Sequence, residues 1–453
     1  MSNKLLAGLL ALTLAGAGCG DDGGSNNGAG NNGGDNNGQN TEPFSEDCTT
    51  MIVPSTAEDE AEAAEENRVN ITEALVAPSD GDVICLGDGT YNLTAGLTLN
   101  ASDVANIEIR GQSQDGTILD FAGQDQGANG LLVDGIDDFR AADFTLKNTA
   151  GDAIKVQNSD GVELVNLTVT WDRGPSSSNG AYGVYPVLDT NVLVEGCNVS
   201  HASDAGIYVG QTDTAIVRNN VAFGNVAGLE IENTSNSEVH DNHLYDNTGG
   251  LLVFNLPGLE VKGGAQNKIH NNLIENNNQV NFAASGIVEM VPAGIGLLLI
   301  AADNNEIYEN EVTGNQSMGL GIVSYLATGL QHDDAEYDPY SEGNFVHDNT
   351  FENNGYDPKG LALTIATANS QTELQAMLID GVITAELDAD TTFEDVRDCF
   401  DGNQTGDGGD AEFFNFDFLD SDAPEGITDC SDTWTDFCHY QCTRDPLPSV
   451  TLE

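Results

Sequence analysis

The stretch that decides the fold is "VRNNVAFGNVAGLEIENTSNSEVHDNHLYDN", residues 217–247. It says one phrase twice, first from Val217 and again from Val239. Written as apolar, two residues, Asn, one residue, apolar, the phrase fits "IVRNNV" at 216, "VHDNHL" at 239, "IHNNLI" at 269, "IYENEV" at 307 and "VHDNTF" at 346. Looser copies are "FRAADF" at 139, "LVNLTV" at 164 and "VEGCNV" at 194. The fourth positions are Ala142, Leu167, Cys197, Asn219, Asn242, Asn272, Asn310 and Asn349, with spacings of 25, 30, 22, 23, 30, 38 and 39. The base period is 22 to 25 residues, and the longer intervals read as that period plus an inserted loop.

Inside each period lies a small residue, a Gly and then short alternation: "YGVYPV" at 182, "AGIYVG" at 205, "AGLEIE" at 227, "GGLLVF" at 249 and "MGLGIV" at 318. Alternation over so few residues means strand. Short strands at a fixed period, with Gly and Asn at the corners, imply an all-β solenoid of stacked parallel coils. The recurring Asn has a job there. Turned inward at a corner, its amide can bond to the amide above and to corner backbone. Asn219, Asn242, Asn272, Asn310 and Asn349 are expected to form this ladder. Cys197 holds the same slot one coil earlier and is expected to be buried and unpaired.

The ends need cover, because an open coil exposes core and strand edges. Residues 56–77 read as a helix, with Thr56 to Asp59 as a capping box and Ile71, Ala74 and Leu75 on one face. After about residue 365 the period stops. "SQTEL" then reads as a helix start, with Ser370 and Glu373 in capping positions.

The charge is extreme, with 74 acidic against 13 basic residues and a formal −61. That excludes nucleic acid and anionic membrane surfaces as partners, since both need basic surface. "MSNKLLAGLLALTLAGAGC" at the start reads as an export signal, with an apolar run too short to span a bilayer. Small residues before Cys19 resemble a bacterial lipoprotein cleavage box, which makes Cys19 the lipidation site and the only membrane anchor. Gly16 stands where such boxes carry Leu, so plain secretion is the alternative. Either route places the protein in the cell envelope or outside, not in the cytoplasm. The segment after it, rich in Gly, Asn and Asp, is a tether. The expected division is therefore signal 1–19, tether 20–45, β-helix with N-terminal cap 46–365, and Cys-containing cap 366–453. With Cys19 and Cys197 set aside, six cysteines remain. The expected bridges are Cys48–Cys85 and two among Cys399, Cys430, Cys438 and Cys442.

"YGVYPV", "SDAGIYVGQ", "NVAGLEIEN", "GGLLVFNLPGL" and "VPAGIGLLLIA", in order from 182 to 302, resemble a family of exported bacterial proteins with right-handed parallel β-helix repeats. The resemblance covers about residues 65–365. It implies the right hand, the export route and, from the usual gene neighbour, a c-type cytochrome partner. It implies no activity and no catalytic residues. The architecture is more distantly similar to pectate lyases and alginate-modifying enzymes. The alginate epimerases carry Asp-Pro-His-Asp after Tyr-Gly, whereas "YGVYPVLD" keeps Tyr-Gly and lacks the His.

In the Gly-led strand, Ile207, Val209, Leu229, Ile231, Leu251 and Val253 should point inward. Outward stand Tyr185 and Val187, Tyr208 and Gly210, Glu230 and Glu232, Leu252 and Phe254, Gly296 and Leu298, Gly321 and Val323. Insertions rise on both sides of this face, so it is either a groove or a floor on which loops pack. Tyr185, Asp189, Asp204, Tyr208, Glu230 and Phe254 are the candidate polysaccharide-binding residues, because tyrosine offers a sugar ring a flat platform and carboxylates accept its hydroxyls. Glu230 and Glu232 are candidates for acid–base chemistry or for Ca²⁺. Arg173 and Lys262 are the nearby cations that a lyase or epimerase acting on a uronate would need. The other readings are a non-enzymatic envelope scaffold docking the cytochrome, and a surface adhesin. His240, His270 and His347 share one coil position with Tyr308, a stripe that a repeat generates without a ligand.

Overall fold

The computed structural model describes residues 47–383, 392–419, 433 and 435–453. Cys19, the tether and Cys430 lie outside the described residues. The chain winds into a parallel β-helix of three sheets. The first has 12 strands, from Thr50–Ile52 to Cys399–Asp401. The second and third have 11 each, the second from Ala95–Leu99 to Phe413–Asn415. Every strand pairs in parallel with the strand one coil away, as in Val194↔Val217 and Val217↔Val239. The interior is one apolar column containing Ile207, Val209, Leu229, Ile231, Leu251 and Val253.

The amide ladder exists, one residue away from its expected start. Asn220 donates to Asn242 at 3.0 Å, and Asn242, Asn272, Asn310 and Asn349 each donate to the next amide, ending on Asn403, at 2.9 Å. Asn219 is not in it. Its φ is 57°, in the left-handed region, and its side chain bonds Glu195 outside the coil. The same holds at each corner. Asp241, Asn271, Glu309 and Asp348 have φ of 56°, 53°, 53° and 53°. Each precedes a ladder Asn. The left-handed residue turns the chain, and the residue after it points inward. Asn and Asp tolerate that conformation better than most, which explains the N-N and D-N doublets. Ala142 is also displaced. It pairs with Val165 in the strand, and Phe144, two residues on, aligns with Leu167 and Cys197.

Two further ladders flank the first. Asn225, Asn247, Asn277, Asn315 and Asn354 form one, with bonds of 3.1, 2.9, 3.2 and 3.1 Å. Asn267, Asn305, Asn344 and the carboxylate of Asp398 form the other, at 3.0, 2.9 and 2.9 Å.

The coil stack does not stop near residue 365. Met377–Ile379, Cys399–Asp401, Gln404–Thr405 and Phe413–Asn415 continue all three sheets in register. A short helix interrupts them, but at Gly360–Ala368 rather than after Ser370. Ser370 has a φ of 58° and follows the helix end. Phe393, Phe400, Phe413 and Tyr440 close this end with edge-to-face and tilted ring contacts. The other end is covered by helix α1, Glu60–Val76. Its cap is Asp59, which accepts from the N–H groups of Ala61 and Glu62, so Thr56 is not the capping residue. Ile71 and Leu75 are buried against the first coils. We number the Gly360–Ala368 helix α2.

Disulfides join Cys48–Cys85 and Cys399–Cys442, and Cys438 is also disulfide-bonded. Cys197 is free and buried, and its sulfur donates to the Leu164 carbonyl. From Cys442 the tail returns along the outside of the first sheet. Leu447 N–H bonds Glu306, Val450 N–H bonds Glu238, and Glu453 N–H bonds Asn191, at 2.9, 3.3 and 3.3 Å.

These ladders predict an asymmetric pair of substitutions. Asn310→Ala takes the acceptor from the Asn272 backbone N–H and one bond each from the Asn272 amide, the Asn349 amide and the Ile269 carbonyl, and should cost ~3 kcal/mol or more. Asn219→Ala should change stability by less than ~0.5 kcal/mol. Denaturant midpoints of the two variants check this, and equal losses would contradict the corner assignment.

Candidate functional site

The strands 184–187, 205–210, 227–232, 249–254, 295–300 and 318–323 lie side by side in the second sheet. Register places one outward row as Tyr208, Glu230, Leu252, Leu298 and Gly321. The next row is Gly210, Glu232, Phe254, Ile300 and Val323. Ile300, not Gly296, is therefore the second outward residue of its strand.

At Leu252 and Phe254 the apolar half of this face is covered. Leu252 and Phe254 are fully buried. They belong to a second apolar core outside the coil, with Val288, Val291, Tyr325, Ala362 and Ile365. These come from the insertions: a 3₁₀ turn at Ile287–Met290, another at Tyr325–Thr328, and α2. Phe254 thus packs under loops and offers no surface to a ligand. An apolar cleft of about 710 Å³, its open mouth included, persists among Met290, Leu298, Met318, Leu361, Ile365 and Phe418.

The polar half differs. Tyr182, Tyr185 and Tyr208 form a triangle with ring centroids 4.5, 4.7 and 4.9 Å apart. Tyr208 lies folded over Gly210, where any Cβ would meet its ring at 2.1 Å. That fold carries its hydroxyl to Glu232, to which it donates at 2.9 Å. Glycine at 210 is thus a requirement of the tyrosine's pose. Lys155, in register with Tyr185, holds its ammonium 4.8 Å from that ring's centroid.

Glu230 and Glu232 are 2% and 8% exposed. Burial, then the charges of Asp204 and Glu232, push the Glu230 carboxyl well above its ordinary range. The Glu230 carboxyl shares a side-chain hydrogen bond with Glu232, while its Oε2 is buried with no further partner. Burial also raises Glu232, against the stabilising bond from Tyr208. Asp204 is raised by burial too, with Tyr182 opposing and the charges of Glu232 and Asp152 adding. Asp152 is raised by burial and accepts from the Tyr182 N–H at 3.3 Å. Tyr182, Tyr185, Asp152 and Asp204 are half-buried and form the cluster's outer edge, and Tyr208, Glu230 and Glu232 form its floor.

The remaining candidates lie elsewhere. Asp189 caps a corner, accepting from the N–H groups of Ser159 and Val187 at 2.8 and 3.0 Å, and burial pushes it up to about 7. Arg173 bonds Ser178 within its own loop. Lys262 pairs with Asp334 at 2.8 Å and ties two insertions together. Neither cation acts on Glu230 or Glu232. Among the described residues, no three His, Cys, Asp or Glu side chains are grouped to hold a metal ion. The rings of His240, His270, Tyr308 and His347 do stack, 5.0, 4.6 and 5.1 Å apart. The three histidines bond Asp241, Glu238 and Glu306. Lys155, Asp152 and Tyr182 were missed because they lie in neighbouring coils or just before the strand. The in-register strands "AIKV" and "GVYP" were the available signal.

The sequence matches the family model described as a right handed beta helix region, in two stretches, 129–257 and 254–376. The chain belongs to that family. No curated protein matches it in sequence. Among solved structures, the β-helix is similar to the A-module of the mannuronan C-5 epimerase AlgE4 of Azotobacter vinelandii. The TM-score is 0.52 and the identity 14%, over 76% of this chain and 92% of that one. An alginate lyase of Paenibacillus sp. str. FPU-7 gives 0.43 and 13%, over 81% and 98%. The DFA-IIIase of Arthrobacter chlorophenolicus A6 gives 0.44 and 13%, over 80% and 96%. At such identities the likeness is one of fold.

The buried carboxyls set a pH dependence. Burial raises Asp189 and Asp398 to about 7 and Asp303 to about 8. An unfolded chain releases these protons near pH ~4. Between that pH and about 8 the folded β-helix binds more protons than the unfolded chain, so stability falls as pH rises. Asp334, held down to about 2 by Lys262, titrates below this window. Thermal unfolding should give a higher Tm at about pH 5 than at about pH 8, and the reverse order would contradict the burial of these groups.

Proposed function

We propose that this β-helix binds an extracellular polysaccharide at the tyrosine–carboxyl cluster of its second sheet. The observation that supports this is the triangle of Tyr182, Tyr185 and Tyr208 set against Asp204, Glu230 and Glu232, beside the part of the face that an added apolar core covers. Tyrosine rings give sugar rings an apolar platform, and the carboxyls accept or donate hydrogen bonds to hydroxyls. The shared fold with a mannuronan-acting module agrees with such a ligand. The disulfides support an oxidising compartment, in the envelope or outside the cell.

Glu230 and Glu232 are the pair available for acid–base chemistry on a bound chain. Elimination or epimerisation at a uronate needs a cation beside the ionised carboxylate. Arg173 and Lys262 are engaged elsewhere, and Lys155, the cation at the cluster, lies over the Tyr185 ring and acts on Asp152 rather than on Glu230 or Glu232, so the cluster supports binding ahead of that chemistry.

A glycan array read with the wild type and Tyr185→Ala tests the reading. The variant should lose about tenfold in affinity for every glycan bound. Tyr245→Ala, whose ring stacks on Phe223 in the third sheet, should bind as wild type. Binding unaffected by Tyr185→Ala would place the ligand elsewhere, and an array with no bound glycan would reject the reading.

A further inference from the structure

We infer that the C-terminal segment, residues 443–453, is a strap that clamps the first sheet. It ties the coils that carry the tyrosine–carboxyl cluster to the C-terminal end of the helix and limits how far they open. The inference stands apart from the glycan-binding reading. It starts from one register row on the outer side of the first sheet: Cys399, Phe345, Glu306, Lys268, Glu238 and Ile216, one coil apart in turn. The disulfide Cys399–Cys442 plants the strap on the first of these. Arg444 fastens the root, donating to the Asp395 and Arg397 carbonyls at 3.0 and 2.6 Å. The segment then descends the row. Leu447 N–H donates to Glu306 Oε2 and Val450 N–H to Glu238 Oε2. Glu453 N–H donates to Asn191 Oδ1, in the strand that pairs next after Ile216's.

The strap and the solenoid share a period. Glu306 and Glu238 stand two coils apart, and so do the strands of Glu238 and Asn191. Two coils rise about 9.6 Å. Three residues of polyproline-type chain cover about 9.3 Å and bring the same side of the chain round again. The bonded N–H groups belong to Leu447, Val450 and Glu453, three residues apart. Pro446 and Pro448 favour that conformation. The two carboxylates are also divided alike. Oε1 of Glu306 bonds His347 and Oε1 of Glu238 bonds His270, at 3.2 and 3.0 Å, while Oε2 of each takes the strap.

Burial follows the strap. The row is buried from Cys399 to Lys268 and half-buried at Glu238, Ile216 and Leu193. It is exposed at Glu163, one coil past the strap's last bond. Outward residues of a single sheet otherwise face water, so this gradient marks what the segment covers. The far bonds fall on particular coils. Glu238 lies in the strand that follows Glu230 and Glu232, and Asn191 in the strand that follows Tyr185. The strap therefore spans from the closed end of the helix to both coils of the cluster. A tie of this length opposes separation of every coil it crosses, and its own release needs only a few bonds to break.

The test alters the strap and leaves the coils untouched. Val450→Pro keeps an apolar side chain and an extended backbone, and deletes the N–H that Glu238 accepts. Ser449→Pro, at the exposed neighbour, deletes an N–H outside the bonded series and serves as the control. Backbone amide exchange is followed residue by residue in the full chain with its disulfides intact. Val450→Pro should speed exchange about fivefold or more at Glu453 and in the strands Thr190–Glu195 and Ser235–His240. It should also lower the thermal midpoint. Ser449→Pro should exchange as wild type. Wild-type protection in Val450→Pro, or equal losses in both variants, would overturn the clamp. Faster exchange at Glu453 alone, with both strands protected as before, would show a tail that rests on the sheet without holding it, and would overturn the clamp as well.

Discussion

From Asn220 to Asn403 the coils of this molecule depend on one event, a left-handed residue followed by an inward amide. Three corners per coil would otherwise bury backbone groups that no strand can pair. The Asn side chain resolves this completely. The Asn242 oxygen accepts from the N–H and the amide of Asn220, and its nitrogen donates to the Val217 carbonyl and to Asn272. Both donors and both acceptor positions of the amide are used. A carboxylate would lack the donors, and at Asp398 it stands only at the end of its ladder, where donation to a further coil is not needed. Corners built from neutral amides also let the core of so acidic a chain do without buried ion pairs.

The period, the strand type and the inward apolar residues were legible because they repeat. The exact corner was not. At 219–220 two asparagines stand together, and the chosen template fitted the first. Only the requirement for a left-handed residue before the inward one separates them, and that requirement is visible in Asp241-Asn242 and Asp348-Asn349. The flanking ladders were equally available, since they lie five residues to either side: Asn267, Asn272 and Asn277, then Asn305, Asn310 and Asn315. The last coil escaped notice because α2 and its loops stretch the interval from Asn349 to Asn403 to 54 residues. Asp398 and Asn403 still keep the spacing of five.

The site was legible in its alternation and illegible in its burial. Outward Tyr208, Glu230 and Leu252 follow from a period of two. Whether loops cover them depends on segments far away in sequence, such as Ile287–Met290 and Gly360–Ala368. The pose of Tyr208 turns on a missing Cβ at Gly210 in the same strand. The scarce cations misled for a related reason. Arg173 and Lys262 sit in insertions that rise beside the face, yet Arg173 bonds within its own loop and Lys262 pairs with another insertion through Asp334.

The cover also bears on the proposed site. A parallel sheet is stable when both faces are shielded from water. Toward the C-terminal coils the second sheet achieves this with an added apolar core over Leu252, Phe254, Leu298 and Ile300. Toward the N-terminal coils the same rows hold Lys155, Tyr185, Tyr208, Glu230 and Glu232. Two adjacent strands therefore change from acid to aliphatic in one coil, at Glu230↔Leu252 and Glu232↔Phe254. Repetition and packing alone would carry the aliphatic rows onward. Placing two carboxyls at 2% and 8% exposure at that boundary opposes stability, because burial penalises their charged forms. The step falls where the apolar cover ends, and the proposed glycan-binding reading gives it a use, since a chain bound there would complete the sheet's cover.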